Sequence, residues 1–351
     1  MTKSPNSLDT IAVPAPEAPD IEVADLLMRE YGLQGELSPL VSERDQNFRL
    51  DETNGRQFVV KIANSAEPAQ ITDFQIQALL HLEASDCTIA VPRVIRTLRG
   101  EASSSIPIAN TSHVLRVVSY VPGRPIEGTV PGPGLAYALG QCLAELDRAL
   151  GDFSHPGESQ VLLWDMQRAS ELRDLMAHVS DPDLRAMVTM CLDDFEERVA
   201  PLFPALRSQV IHNDLNPGNI LITDTEPATV TGVIDFGDML RAPLIVDVAI
   251  AAAYLRSTDD DALAATQALV AGFGSIVSLE ARELELLFDL IRMRLATTIT
   301  ILHWRKSARS EEDAYLKKAL GEQGSEHFMR HLNRISRPGF ADRVLTSTKT
   351  L

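Results

Sequence analysis

Two hydrophobic periods divide this chain. From Leu37 to Tyr120 the apolar positions fall mostly in short runs with a period near two, which predicts strands; from Pro131 onward they recur at three- and four-residue spacing, which predicts helices. The first part opens with a helical segment, Ile21–Tyr31, which Gly32 ends. Strands are expected between Leu37 and Ile62, a helix over Ala69–Ala84, then strands over Val91–Ile95 and Val114–Tyr120. The run Val121-Pro122-Gly123-Arg124-Pro125, followed by more glycine and proline up to Gly134, is the clearest boundary in the chain. Beyond it, helices are expected over Leu135–Leu150, Glu171–His178, Pro182–Val199, Leu244–Tyr254, Ala262–Phe273, Leu279–Arg305 and Glu311–Ile335. The pattern is that of an α+β protein: a polar tail over residues 1–20, a small β-rich lobe over 21–121 and a larger, mainly helical lobe over 122–351.

One stretch in the second part breaks the helical period. Ile220-Leu221-Ile222 and Val230–Ile234 are short apolar runs separated by the turn-like cluster Thr223–Ala228, which predicts a β-hairpin centred near Pro227. Pairing about that centre sets Asn219 opposite Asp235 at the open end of the ribbon, on one face. An amide oxygen and a carboxylate there make a hard-oxygen pair suited to Mg²⁺. Asp214 precedes Asn219 by one tight loop and adds a carboxylate able to align a hydroxyl. His212, Asp214 and Asn219 read H-x-D-x4-N, and Asp235-Phe236-Gly237 follows. This order resembles a protein-kinase catalytic loop followed by its metal-binding D-F-G. A lone D-F-G would be an ordinary strand-ending turn; two spaced elements in the right order on one hairpin argue for phosphoryl transfer.

Other residues gain meaning from that assignment. Lys61 lies in the strand Phe58–Ile62 among apolar neighbours, similar to the kinase V-A-I-K strand whose ammonium holds nucleotide phosphates. An acid on the following helix should pair with it; Asp73 is the candidate, one methylene shorter than the usual glutamate, with Glu83 as the alternative. The loop Ser42–Phe48 lacks the glycines of a phosphate-covering loop, so Ser42 and Asn47 would have to offer side-chain donors. At the boundary, the backbone of Ser119 and Val121 could hydrogen-bond a purine edge. In the helical part, Asp247 interrupts an apolar helix; a buried acid is usually paired, and with His212 it is expected to brace the catalytic loop. Arg294, on a largely apolar helix, is a candidate for a substrate carboxylate. Trp164 and Asp238 are further candidates for contacting the acceptor, and Asp165 is expected to cap the helix after it. His327 and His331 have metal-ligand spacing, but without the glutamate of H-E-x-x-H they are expected on a solvated helix face.

Composition narrows the classes. The chain has 351 residues, 45% of them hydrophobic, and a formal net charge of -17. A basic footprint for nucleic acid or for an anionic membrane surface is therefore lacking. The acidic runs Asp259–Asp261 and Glu311–Asp313 are expected to be solvated surface. Three widely spaced cysteines with no C-x-x-C point to reduced thiols, and no apolar stretch is long enough to span a bilayer, so a cytoplasmic location is expected.

Together, Val210–Ile222, Val233–Asp238, Phe58–Ile62 and the late Asp247 resemble the aminoglycoside phosphotransferase and choline kinase group, small-molecule kinases with a bilobal protein-kinase-like fold. Ser42–Phe48, Val210–Ile222 and Ile234–Leu240 are most similar to the hydroxylysine kinase branch. The resemblance covers about residues 21 to 335. It implies that Asp214 orients the acceptor hydroxyl, that Asn219 and Asp235 hold Mg²⁺, and that Lys61 holds the phosphates of GTP or ATP. The implied acceptor is a small hydroxylated amine or amino acid such as 5-hydroxylysine, with an aminoglycoside, homoserine or choline-type substrate as the alternative. With all four of these residues present, nothing in the sequence recommends a non-catalytic nucleotide-binding regulator. A protein-serine kinase is disfavoured, because no A-P-E segment follows and Asp247 comes too soon after Asp235 for a long activation loop.

Overall fold

A computed structural model describes residues 15–42, 44–108, 111–129, 131–256, 263–308 and 324–344; both acidic runs lie outside them. The chain forms two compact units. One contains residues up to Asp86, Ala90–Pro122 and His155–Leu163; the other contains Cys87–Ile89, Gly123–Ser154 and Trp164 onward.

The first unit begins with helix α1 (Asp20–Tyr31), which Gly32 closes in the left-handed conformation at φ 68°. Strands β1 (Glu36–Leu40), β2 (Gln46–Asp51) and β3 (Gln57–Ile62) form an antiparallel meander. Helix α2 follows at Ala69–Ala84, the range its periodicity predicts. The sheet is completed by β4 (Val94–Ile95), β5 (Ser104–Ile108) and β6 (Thr111–Ser119), in the order β1-β2-β3-β6-β4 with β5 also on β6. Strand β5 is not evident in the sequence because Ser104-Ser105 and Pro107 mask its alternation. Phe48, Leu50, Phe58, Val60, Ile62, Leu115 and Val117 from one face of the sheet pack on Val23, Leu26, Leu27 and Tyr31 of α1. The chain before α1 is not all tail: Ala18 is buried, and the Gln46 side chain bonds both its N–H (2.8 Å) and its carbonyl (2.9 Å).

The second unit is mainly helical. After the short strand β7 (Arg124–Pro125) come α3 (Pro133–Leu150), a 3-10 stretch over Met166–His178 whose first turn Asp165 caps, and α4 (Pro182–Asp194). Strands β8 (Ser208–Ile211), β9 (Ile220–Ile222), β10 (Val230–Val233) and β11 (Leu240–Pro243) then make two small antiparallel pieces, β10-β9-β7 and β11-β8. Helices α5 (Ile245–Tyr254), α6 (Ala264–Gly274), α7 (Ala281–Ala308), α8 (Gly324–Leu332) and α9 (Arg337–Val344) complete it. Helices α3 and α6 meet backbone to backbone, Gly140 against Leu269 and Phe273, and Gly272 against Tyr137. Among the described residues no helix is long and apolar enough to cross a membrane. Cys87, Cys142 and Cys191 form no disulfide, and burial pushes the Cys142 thiol up to about 12.

The hairpin forms, but its register differs from the expected one. Ile222 pairs with Val230, Leu221 with Gly232 and Ile220 with Val233, with a bulge at Thr231. The turn therefore centres near Glu226 rather than Pro227, and the bulge absorbs only part of the shift. Asn219 consequently faces Ile234, whose N–H donates to its carbonyl at 2.9 Å, and Asp235 lies one residue further along. Bulges re-aim side chains in this way.

Candidate active site

The loop between β8 and β9 carries the chemistry, and two left-handed residues shape it. Asn213 and Asp235 both have φ 63°, the only described non-glycine residues with positive φ. Non-glycine residues tolerate that region poorly, asparagine and aspartate best. At Asn213 the conformation is held from two sides: its side-chain nitrogen donates to the Asp238 carbonyl at 3.1 Å, and its backbone N–H donates to Asp247 Oδ1 at 2.8 Å.

Asp247 is the anchor. It is wholly buried near the start of α5, and its second oxygen accepts the His212 N–H at 2.9 Å. His212 is wholly buried too, and burial pushes its imidazole below the ordinary value, so the ring is neutral. Its tautomer follows from its neighbours. Nδ1 accepts the Asp214 N–H at 3.3 Å, so Nε2 carries the proton and donates to the Ile234 carbonyl at 3.2 Å. The ring also meets Phe236 edge-on, with centroids 4.9 Å apart. His212 thus ties the loop before β9 to the strand end after β10.

Asp147 of α3, which sequence reasoning passed over, completes this base. It is buried against Asp247, and no N–H or O–H group donates to either of its oxygens. Burial, then the charge of Asp247, pushes its carboxyl well above the usual carboxylate range. Burial beside Asp247 therefore favours the protonated form of Asp147. A lone acid among the core-facing leucines of α3 was the available signal.

Asp214 is half-buried and held by three donors. Oδ2 accepts the side-chain nitrogens of Asn216 (2.8 Å) and Asn219 (3.0 Å), and Oδ1 accepts an N–H of Arg294 at 3.1 Å. Burial, then the charge of Asp238, raises its pKa, while Arg294 pulls the other way. The Asn219 nitrogen also donates to the Asp214 carbonyl at 2.8 Å, which fixes the amide flip and presents its oxygen as an acceptor. That oxygen, an exposed Asp235 and the nearby charge of Asp238 make a hard-oxygen, anionic donor set, which fits a divalent cation. Among the described residues no three His, Cys, Asp or Glu side chains converge into a metal cluster of their own, and this includes His327 and His331 on α8.

Arg294 differs from the open carboxylate receptor expected of it. The guanidinium is buried, stacked 5.0 Å from the Trp164 ring and 5.7 Å from the Tyr254 ring. Trp164 is likewise buried, with Arg305 5.5 Å from its ring.

In the first unit, Lys61 on β3 stands between Asn47 on β2 and Arg116 on β6. The Asn47 side-chain oxygen is buried with no donor. Ser42 Oγ accepts the Asp45 N–H at 3.2 Å. Asp73 is exposed, and its carboxylate lies 3.2 Å from His155 Nε2 and 3.2 Å from the Gln77 amide nitrogen; Glu83 pairs with Arg93 at 3.3 Å. The helix-to-sheet tether instead joins Arg116, which donates to Gln75 of α2 and lies 3.9 Å from Asp45. The Ser119 N–H donates to the Arg93 carbonyl at 2.8 Å, and Val121 is buried.

A family model described as the phosphotransferase enzyme family matches residues 36–284. The chain belongs to that family. As a member it is a small-molecule kinase, an enzyme that phosphorylates an alcohol group. The chain is 26% identical to the hydroxylysine kinase of Danio rerio over 326 residues, 90% of each chain. Its fold is similar to that of a microcompartment-associated aminopropanol kinase, with TM-score 0.69 and 19% identity over 89% of this chain and 97% of the other. It is also similar to an amicoumacin kinase solved with AMP-PNP, Ca²⁺ and amicoumacin, with TM-score 0.66 and 17% identity over 89% and 94%. These likenesses place the chain's α+β fold among the kinase-like phosphotransferases.

Proposed function

We propose that this phosphotransferase moves the γ-phosphoryl group of GTP or ATP to the side-chain hydroxyl of a small amino acid or amino alcohol, 5-hydroxylysine first among them. The observation that carries the reading is the Asp214 carboxylate, fixed by Asn216, Asn219 and Arg294 on a loop whose backbone Asp247 braces. The likeness to hydroxylysine kinases along most of both chains supports the acceptor class.

In this reading Asp214 accepts the proton of the acceptor hydroxyl as its oxygen attacks the γ-phosphorus. The bond to the β-phosphate oxygen breaks, and the nucleoside diphosphate leaves with that electron pair. The Asn219 amide oxygen and the Asp235 carboxylate would hold Mg²⁺, which when bound neutralises charge on the phosphate oxygens. Lys61 is assigned to the donor phosphates, with Ser42 and Asn47 as side-chain donors and the backbone of Ser119 and Val121 at the purine. Asp238 adds negative charge that favours an acceptor carrying an ammonium group.

The test is an acceptor panel with Mg²⁺ and either nucleotide, read by diphosphate release and by phosphorus NMR of the product. The expected result is phosphorylated 5-hydroxylysine, with weaker or no turnover of aminopropanol, homoserine, choline and spectinomycin. Preference for one of those would reassign the acceptor. Nucleotide-dependent stabilisation without turnover of any acceptor would turn the reading into a non-catalytic nucleotide-binding regulator.

A further inference from the structure

Arg294 sits inside α7 with 1% of its side chain exposed. Its neighbours along the helix, Ile291, Met293, Leu295 and Ala296, are buried and apolar. A guanidinium in such surroundings is costly unless an anion and hydrogen-bond acceptors compensate it. Its one ion-pair partner among the described residues is Asp214, at 3.1 Å. Its other contacts are neutral: the Tyr254 hydroxyl at 3.3 Å, the Trp164 carbonyl at 3.5 Å and the faces of those two rings. Nε makes no hydrogen bond. Three separate elements, the loop at Trp164, the end of α5 and the middle of α7, therefore converge to aim one cation at one carboxylate.

Counting acceptor sites shows what that cation does. Each carboxylate oxygen offers two lone pairs. Both sites on Asp214 Oδ2 are taken, by Asn216 and Asn219. Oδ1 accepts only from Arg294. One lone pair remains, on Oδ1. The loop His212–Asn219 supplies no cation of its own. Arg294 approaches from the buried side, while 22% of the Asp214 side chain is exposed.

We propose that Arg294 is a positioning residue for the transfer: it holds Asp214 Oδ1 from behind and leaves that oxygen a single open site, at which the acceptor hydroxyl is received. Trp164 and Tyr254 act through Arg294, as the platform and the hydroxyl that fix its plane. The inference rests on Asp214 as the proton-accepting group. A misplacement of Asp214 by about 1 Å should cost on the order of 100-fold in kcat. Because Arg294 is not among the residues assigned to the donor nucleotide, the donor KM should stay unchanged.

The experiment compares Arg294→Gln, Arg294→Lys and Arg294→Ala, each assayed with Mg²⁺ nucleotide and 5-hydroxylysine, or with the best acceptor of the panel. Melting temperatures are recorded alongside. The expected result is a roughly 100-fold lower kcat for Arg294→Gln at unchanged donor KM. Arg294→Lys should recover only part of it, since an ammonium lacks the planar fork. Added ethylguanidine should restore Arg294→Ala saturably. Should Arg294→Ala not fold, Tyr254→Phe serves: a smaller kcat loss at unchanged donor KM is expected. The inference is overturned if the loss only follows the fraction unfolded and ethylguanidine does nothing, if donor KM rises with it, or if kcat increases because the pair was restraining Asp214. Asp214→Asn separates the two levels. Near-wild-type turnover there removes the reading of the site itself, whereas an inactive Asp214→Asn beside a fully active Arg294→Gln removes only the role of Arg294.

Discussion

Asp247 reaches back across the chain to His212, accepting its backbone N–H at 2.9 Å while its other oxygen takes the N–H of Asn213 at 2.8 Å. The loop that presents Asp214 thus hangs from one buried carboxylate. Asp247→Ala leaves the buried N–H groups of His212 and Asn213 without acceptors. It should cost about 3 kcal/mol of stability and lower kcat more than a change in acceptor KM explains. Urea unfolding and steady-state kinetics at a temperature where the variant is folded check both. A variant as stable as the parent would show that the loop is held elsewhere.

The raised carboxyls of Asp147 and Asp247 make stability depend on pH. Burial raises both carboxyls; the titratable groups that face the pair are His212, held neutral by burial, and Arg207, whose charge opposes the rise at Asp147. The folded protein therefore binds a proton that the unfolded chain releases above the ordinary carboxylate range near pH 4. This contribution is fully present below that range and is lost as pH rises through the folded pKa. Asp147→Asn replaces the carboxyl by an amide that stays neutral throughout. It should gain in melting temperature over the parent as pH goes from 5 to 8, with little difference at the acid end. Parallel curves for the two proteins would place the proton elsewhere.

In the first unit, the expected tether and the observed one can be told apart by stability. Asp73 is exposed and faces His155, so Asp73→Ala should change stability by less than about 1 kcal/mol. Gln75→Ala strips the buried Arg116 of its hydrogen-bonding partner and should cost about 2 kcal/mol. If Asp73→Ala is the more damaging of the two, the acid rather than the amide anchors α2.

The contrast at Asp73 also marks what a sequence can carry. The α+β division, the bounds of α2 and the order His212, Asp214, Asn219, Asp235 follow from local period and spacing, because each depends on neighbours within a few residues. The register of the β9–β10 hairpin does not, since the bulge at Thr231 answers to packing rather than to turn composition. Gln75, Arg116, Asp147 and Tyr254 acquire their roles only through partners far along the chain. An apolar-helix arginine such as Arg294 reads equally well as a ligand receptor or as a buried clamp until its partners are placed. Asp247 was readable because an unpaired acid in an apolar helix demands a partner, though its sequence does not say which.

A close backbone contact between α3 and α6 ties packing to the Asp147–Asp247 pair. A Cβ on Gly140 would run into the Leu269 carbonyl and the Phe273 nitrogen, and one on Gly272 into the Tyr137 carbonyl; both are backbone, which cannot rotate away. Alanine is intrinsically the better helix residue by about 1 kcal/mol, so an open site would be stabilised by Gly→Ala. Here overpacking opposes it, and Gly140→Ala and Gly272→Ala should each destabilise by about 2 kcal/mol net. The effect should reach the active site. Gly140 and Asp147 lie on nearly the same face of α3, so displacing the helix from α6 also displaces Asp147 from Asp247 and slackens the loop at His212. Lower kcat at saturating substrates, beyond the fraction unfolded, is the expected signature. A Gly140→Ala variant that melts higher than the parent would mean that α3 and α6 have room to separate and that Asp147 does not depend on their contact.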